Sequence, residues 1–160
     1  MNRFKGFTLI ELMVVLAILA IDAFIADPSF TNLVRDNRTE AQAETLNSLF
    51  QYARSDAVIR KIDTFVTLDA SSGDVQITAD SVNGDVLRNA TLDLNNINLT
   101  ASSATIGFRP NGTTTTPGFE ALVCGGGDAG SARLLTVSGS GAATLHNKGK
   151  KADGTDLGSC

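Results

Sequence analysis

Residues 6–11 read Gly6-Phe7-Thr8-Leu9-Ile10-Glu11, and they open an apolar run, FTLIELMVVLAILAIDAFIA, that extends from Phe7 to Ala26. Arg3 and Lys5 stand just ahead of it. A short basic leader before an apolar segment is the layout of a secretory signal, but such a signal is cleaved after its apolar core, at a small-x-small site, and is lost. Here the small residue, Gly6, precedes the apolar segment, so that layout is not met. As a helix the run would span about 30 Å, the thickness of a bilayer hydrocarbon core, and a single membrane pass is expected. Glu11 lies inside it, where a carboxylate costs about 2–3 kcal/mol or more at depth, so an ionisable residue at this position points to function.

Downstream the pattern changes twice. Asp27-Pro28 ends the apolar run, and Pro28 is expected to kink or interrupt the helix because it lacks an amide donor and crowds the preceding turn. Ser29 offers a cap for a restarted helix. From Phe30 to Ile62, Leu33, Val34, Ala41, Leu46, Leu49, Phe50, Ala53, Ala57 and Val58 recur mainly at three- and four-residue steps, with charged residues between them. This predicts an amphipathic helix whose later half lies on a sheet. After Lys61 the period becomes two. Strands are expected at 64–69, 75–79, 86–88, 98–100, 105–109, 119–124, 133–138 and 142–146, with turns at Ser72-Gly73, Asn83-Gly84, Asn111-Gly112 and Gly139-Ser140-Gly141. Residues 113–116 and 125–130 read as loops, and the polar tail from Asn147 needs an anchor to be ordered. The fold class is therefore α+β: a long N-terminal helix, its first half membrane-embedded, packed on antiparallel β-sheets. The divisions are a short basic segment at 1–6, an apolar transmembrane helix at 7–28, an amphipathic helix at 29–62, and a β-rich domain with its C-terminal tail at 63–160; the family resemblance given below makes the first a leader and the second also a filament core.

Glu11 and Asp22 are eleven residues apart, which places them within roughly 20° of each other on a helix. Two readings stay open: a polar stripe facing a partner helix, or an Asp22 shallow enough to be hydrated. The chain carries a net charge of −4, and losing Arg3 and Lys5 takes the side-chain balance to −6. That disfavours nucleic acid as a general partner, since such binding needs a basic surface. Two cysteines, Cys124 and Cys160, fit one disulfide in an exported protein, and Cys160 would then pin the tail. Catalysis finds no support: the one histidine, His146, has no second histidine or carboxylate set beside it, and no cofactor or metal is expected. Gly125-Gly126-Gly127 reads as a flexible loop, because no helical pattern follows to make an anion site. His146, Lys148, Lys150 and Lys151 form a small basic cluster without an aromatic neighbour for base stacking, and read as a solvated turn.

The run from Gly6 through Phe7 to Glu11, followed by about 15 apolar residues, resembles the prepilin signature of type IV pilins and type II secretion pseudopilins. The resemblance covers about 30 residues. It implies cleavage between Gly6 and Phe7 by a prepilin peptidase, methylation of the new amino terminus on Phe7, and retention of the apolar segment as membrane anchor and then filament core. It implies that Glu11 pairs with the amino terminus of a neighbouring subunit during assembly. A buried carboxylate needs such a partner, although Phe7 and Glu11 of one chain are also close enough to pair before assembly. Asp22 and Asp27 depart from the family pattern, and Pro28 resembles its helix-breaking proline. More weakly, Phe108-x-Pro110-x-Gly112, a strand near Cys124, and Arg133-Leu-Leu-Thr-Val-Ser-x-x-Gly141 resemble the GspH/FimT group. In many of its members a Gly-Arg-x-Arg follows; here Gly141-Ala142-Ala143-Thr144 stands in its place, without the arginines that serve DNA uptake in some members.

Taken together these resemblances imply a minor pilin that helps assemble and prime a type IV pilus within a tip or initiation complex. The alternatives they leave are a type II secretion minor pseudopilin and a DNA-binding pilin for natural transformation. The implied partners are other minor and major pilins, the prepilin peptidase and the inner-membrane assembly platform. The implied location is the inner membrane, single pass, with a periplasmic domain, and then the filament or its tip.

Overall fold

The computed structural model describes residues 7–160, and for residues 22–29 it describes the backbone alone. Helix α1 runs from Leu9 to Arg60. Eight strands follow: β1 (Thr64–Leu68), β2 (Asp74–Ala79), β3 (Val86–Thr91), β4 (Ile97–Ala101), β5 (Thr105–Phe108), β6 (Phe119–Gly125), β7 (Arg133–Val137) and β8 (Ala143–Leu145). A short 3-10 turn, Ala129–Ser131, sits between β6 and β7. All eight strands fall where the period-two pattern places them.

Pro28 does not interrupt the helix. Helix α1 passes through it and ends instead at Arg60, where Lys61 takes a left-handed conformation with φ 60°. A proline leaves one backbone bond unmade and crowds one turn, which can bend a helix without ending it. A left-handed residue after the last turn stops a helix outright. The chain divides into two compact units, one up to Val34 and one from Arg35 to Cys160.

In the second unit the strands form two four-stranded antiparallel sheets, ordered β3-β2-β1-β5 and β4-β6-β7-β8. Buried and open side chains alternate along β1 in the middle of the first sheet and β4 at the edge of the second, as in a sheet with one face on a core. Thr39, Ala43, Leu46, Phe50, Ala53 and Ala57 make a completely buried stripe on α1 at alternating four- and three-residue steps. Phe50 joins all three elements. Its ring lies 6.4 Å from that of Phe108 on β5 and 5.2 Å from that of Phe119 on β6, one from each sheet. The alanines in the stripe keep the helix backbone near the sheets, while Val66, Ile77 and Ile106 from one sheet and Val123, Leu135 and Val137 from the other fill the remaining volume.

Candidate assembly site

Over residues 7–21 the first unit is apolar with one carboxylate, Glu11. Phe7, Leu9, Ile10, Leu12, Met13, Val14, Val15, Leu16, Ile18, Leu19 and Ile21 are all exposed, on every side of the helix. So much contiguous apolar surface calls for a covering by lipid or by other helices. Among the described residues no helix is long and apolar enough to cross a membrane. Thr8 and Glu11 bond reciprocally: the Glu11 amide donates to Thr8 Oγ1 at 3.3 Å, and the Thr8 amide donates to Glu11 Oε2 at 3.4 Å. This is a capping box, with Thr8 as N-cap two residues before Ile10. The Thr-x-x-Glu spacing carries that signal in the sequence, where only Glu11 was singled out. Gly6 lies outside the described residues, as do the side chains of Asp22, Asp27 and Pro28.

In the second unit the tail is anchored as the sequence anticipates: Cys124 and Cys160 form a disulfide, with Cα atoms 6.0 Å apart. Cys124 is buried and Cys160 exposed. The tail is no loose loop. It forms a small hairpin in which the Lys151 amide donates to the Thr155 carbonyl, the Leu157 amide donates to the Gly149 carbonyl, and Lys150 pairs with Asp156 at 2.6 Å. Asp153 shapes its turn by accepting from both the hydroxyl and the amide of Thr155, and these bonds hold its carboxyl below the usual carboxylate range.

The basic cluster read from the tail is largely neutralised by ion pairs. Lys148 bonds Asp36 of α1 at 2.5 Å, and Lys150 is the partner of Asp156. His146 is half-buried, its Nε2 within 2.8 Å of Thr136 Oγ1. The glycine segment after β6 is also packed. A Cβ on Gly125 would come within 2.4 Å of Thr39 Oγ1, so glycine lets α1 approach here. Around it lies a set of ion pairs no local pattern announces: Arg35 with Asp36 at 3.7 Å and Asp128 at 3.4 Å, and Arg133 with Glu40 at 2.5 Å. Arg54 donates to the carbonyls of Gly112 and Ser140, both at 3.1 Å, and so ties α1 to loops from each sheet. Ala142 and Thr144 are exposed.

A long N-terminal helix with an apolar head and a sheet-packed second half is the architecture of a pilin-type filament subunit. The model of the type II transport protein GspH family matches residues 42–141, and that of the prokaryotic N-terminal methylation motif matches residues 1–21. The chain belongs to the GspH family. Among solved structures, the type IV minor pilin FimU of Pseudomonas aeruginosa superposes with a TM-score of 0.66 at 24% identity, covering 78% of this chain and 96% of FimU. The minor pseudopilin EpsH of the Vibrio cholerae type 2 secretion system gives 0.56 at 12% identity, covering 71% of this chain and 99% of EpsH. At these identities the likeness is one of fold. No curated protein matches the chain. The protein is a member of the type II transport protein GspH family that carries the prokaryotic N-terminal methylation motif.

Proposed function

We propose that the protein is a minor pilin that assembles into, and helps prime, a type IV pilus as part of a tip or initiation complex. The observation that carries this reading is the closer match to FimU than to EpsH, in both TM-score and identity. In this reading the peptidase cuts between Gly6 and Phe7, the new amino terminus is methylated, and the helix anchors the subunit in the inner membrane with its β-rich domain in the periplasm. The assembly platform then lifts it into the filament beside other minor and major pilins. Its role is structural, not catalytic.

Glu11 is the proposed assembly contact. In the isolated chain its carboxylate accepts from the Thr8 amide. In a filament core, surrounded by apolar helices, it would meet the positive amino terminus of a neighbour, and the low dielectric there strengthens such a pair over its value in water. The test is complementation of a deletion strain, scoring surface pili and secreted type II substrates side by side. Loss of pili with normal secretion supports the proposal. Loss of secretion with normal pili would overturn it in favour of the pseudopilin reading, which the GspH family match and the EpsH likeness keep in view. Mass spectrometry of the mature protein should find a methylated Phe7 at its amino terminus; Met1 retained, or cleavage after Ala26, would contradict the processing step.

A further inference from the structure

The outer face of the second sheet carries an apolar strip that the rest of the fold does not cover. Register places Thr100 opposite Leu122 and Leu122 opposite Leu134, so these three form one cross-strand row over β4, β6 and β7. Cys124 follows Leu122 at the next position on the same face of β6. Yet Leu134 is only 7% exposed and Cys124 only 2%. The tail hairpin accounts for this. Lys151, Ala152, Asp153 and Leu157 face Leu122 and Leu134 across a groove of about 560 Å3. The hairpin is tied at both ends to the rest of the unit, to helix α1 as well as to the sheet. At its start the Gly149 amide donates to the Ala132 carbonyl and Lys148 pairs with Asp36. At its end stands the Cys124–Cys160 bond.

We propose that this tail is a strap gated by its disulfide: closed, it covers the Leu122–Leu134 strip, and reduced, it swings away about residues 147–149 and opens the groove. The reductant is a dithiol. One of its thiolates attacks the sulfur of Cys160, the exposed residue of the pair, forming a mixed disulfide and releasing Cys124 as a thiolate that takes up a proton. The second thiol then displaces Cys160 as a thiol, so two electrons and two protons pass from the dithiol, which leaves as a disulfide. The end of the hairpin is then free. A two-stranded hairpin alone is marginal in water, so the released piece also loses its own ladder. The ties at Gly149 and Lys148 remain and act as the hinge.

The test uses the full chain in detergent micelles, wild type against Cys160→Ser. Hydroxyl-radical footprinting should label Leu122, Leu134 and Leu157 several-fold more in the variant. Amides of Lys151 and Leu157 should exchange at least roughly tenfold faster, while those of β1 and β2 in the other sheet keep their protection. Wild type treated with dithiothreitol should reproduce the variant. Unchanged labelling would show that hydrogen bonds and ion pairs hold the tail without the disulfide, and would overturn the proposal. Loss of protection in β1 and β2 together with the tail would overturn it too, since the bond would then hold the whole domain. So would a disulfide that resists dithiothreitol in the folded protein.

Discussion

Among the described residues Glu11 bonds Thr8, and in the proposed assembly it would meet a second partner, so its two roles are separable by mutation. Glu11→Ala removes a capping-box contact, a loss of about 1 kcal/mol or less at an exposed helix start, and leaves every core residue in place. Processing and the level of membrane-bound protein should therefore stay normal, while entry into the filament falls. The measurement is piliation of a complemented deletion strain with membrane-fraction immunoblots, and normal piliation at equal protein level would show that this carboxylate is not an assembly contact. Asp22 shares its helical face in projection but has no proposed pairing, so Asp22→Ala should be mild. Gly141 is a residue of another kind. Its φ is +80°, and a Cβ there would sit 1.9 Å from the Gly112 carbonyl oxygen that also receives Arg54. Gly141→Ala combines backbone strain with a collision against main chain and should cost at least about 2 kcal/mol in a denaturant melt. An alanine variant as stable as wild type would contradict the turn geometry. The pattern around Gly139-Ser140-Gly141 announces a turn, but not that the turn is braced by an arginine of α1 more than eighty positions earlier. Asp69 adds a small pH dependence. Bonds from the Ser71 hydroxyl and the amides of Ser71 and Ser72 hold its carboxyl below the usual range, so its contribution is present at neutral pH and lost as pH falls through that lowered value.

Helix α1 is one element with two compositions, and that is why its first and second halves read differently in the sequence. The later part of the buried stripe, Leu46, Phe50, Ala53 and Ala57, was legible because a helix packed on sheets must place apolar side chains at three- and four-residue steps, whereas buried Thr39 and Ala43 fell outside that pattern and Leu33, Ala41 and Val58 inside it are exposed. The strands were legible for the matching reason at period two, helped by glycine turns. Their assortment into two sheets was not, because pairing partners such as Thr64 and Phe108 are far apart in sequence and no local pattern joins them. The charged contacts of Arg35, Glu40 and Arg133 escaped for the same reason, and the continuity of α1 through Pro28 escaped because a proline's local signal is a break. The stripe yields a prediction. Ala53 is fully buried in a cluster that also holds Phe50, Phe108 and Phe119. Ala53→Leu inserts three methylene-sized groups where there is no space, and should destabilise the chain by about 1–3 kcal/mol. Phe50→Ala errs the other way, leaving a cavity between helix and both sheets, and should cost about 3–5 kcal/mol. Chemical denaturation of the full chain in detergent measures both. If Phe50→Ala cost less than Ala53→Leu, the junction of helix and sheets would not be the centre of the core.

At the scale of the whole molecule, charge decides what the protein leaves alone. The net charge is −4, and the proposed cleavage after Gly6, which would remove Arg3 and Lys5, would take the side-chain balance to −6. Lys148 and Lys150, the strongest candidates for a local basic patch, spend their charge on Asp36 and Asp156. An anionic polymer therefore meets a surface that repels it overall and has few cations arranged to receive it. The expected result for the full chain in a DNA-shift assay is no submicromolar, salt-sensitive binding. The same physics gives a sharper, constructive test. Ala142 and Thr144 are exposed beside and on the edge strand β8, at the positions that the resemblance to the GspH/FimT group aligns with a Gly-Arg-x-Arg pattern. Ala142→Arg with Thr144→Arg restores two cations on one face of that strand without touching the core. If this edge is the surface those relatives use, the double variant should gain affinity for duplex DNA, and its log–log salt slope should steepen by about 2, since each phosphate contact contributes roughly 0.9. A variant that folds normally but binds no better than the parent would show that two arginines on β8 are not sufficient here, and that the surrounding acidic surface dominates the encounter.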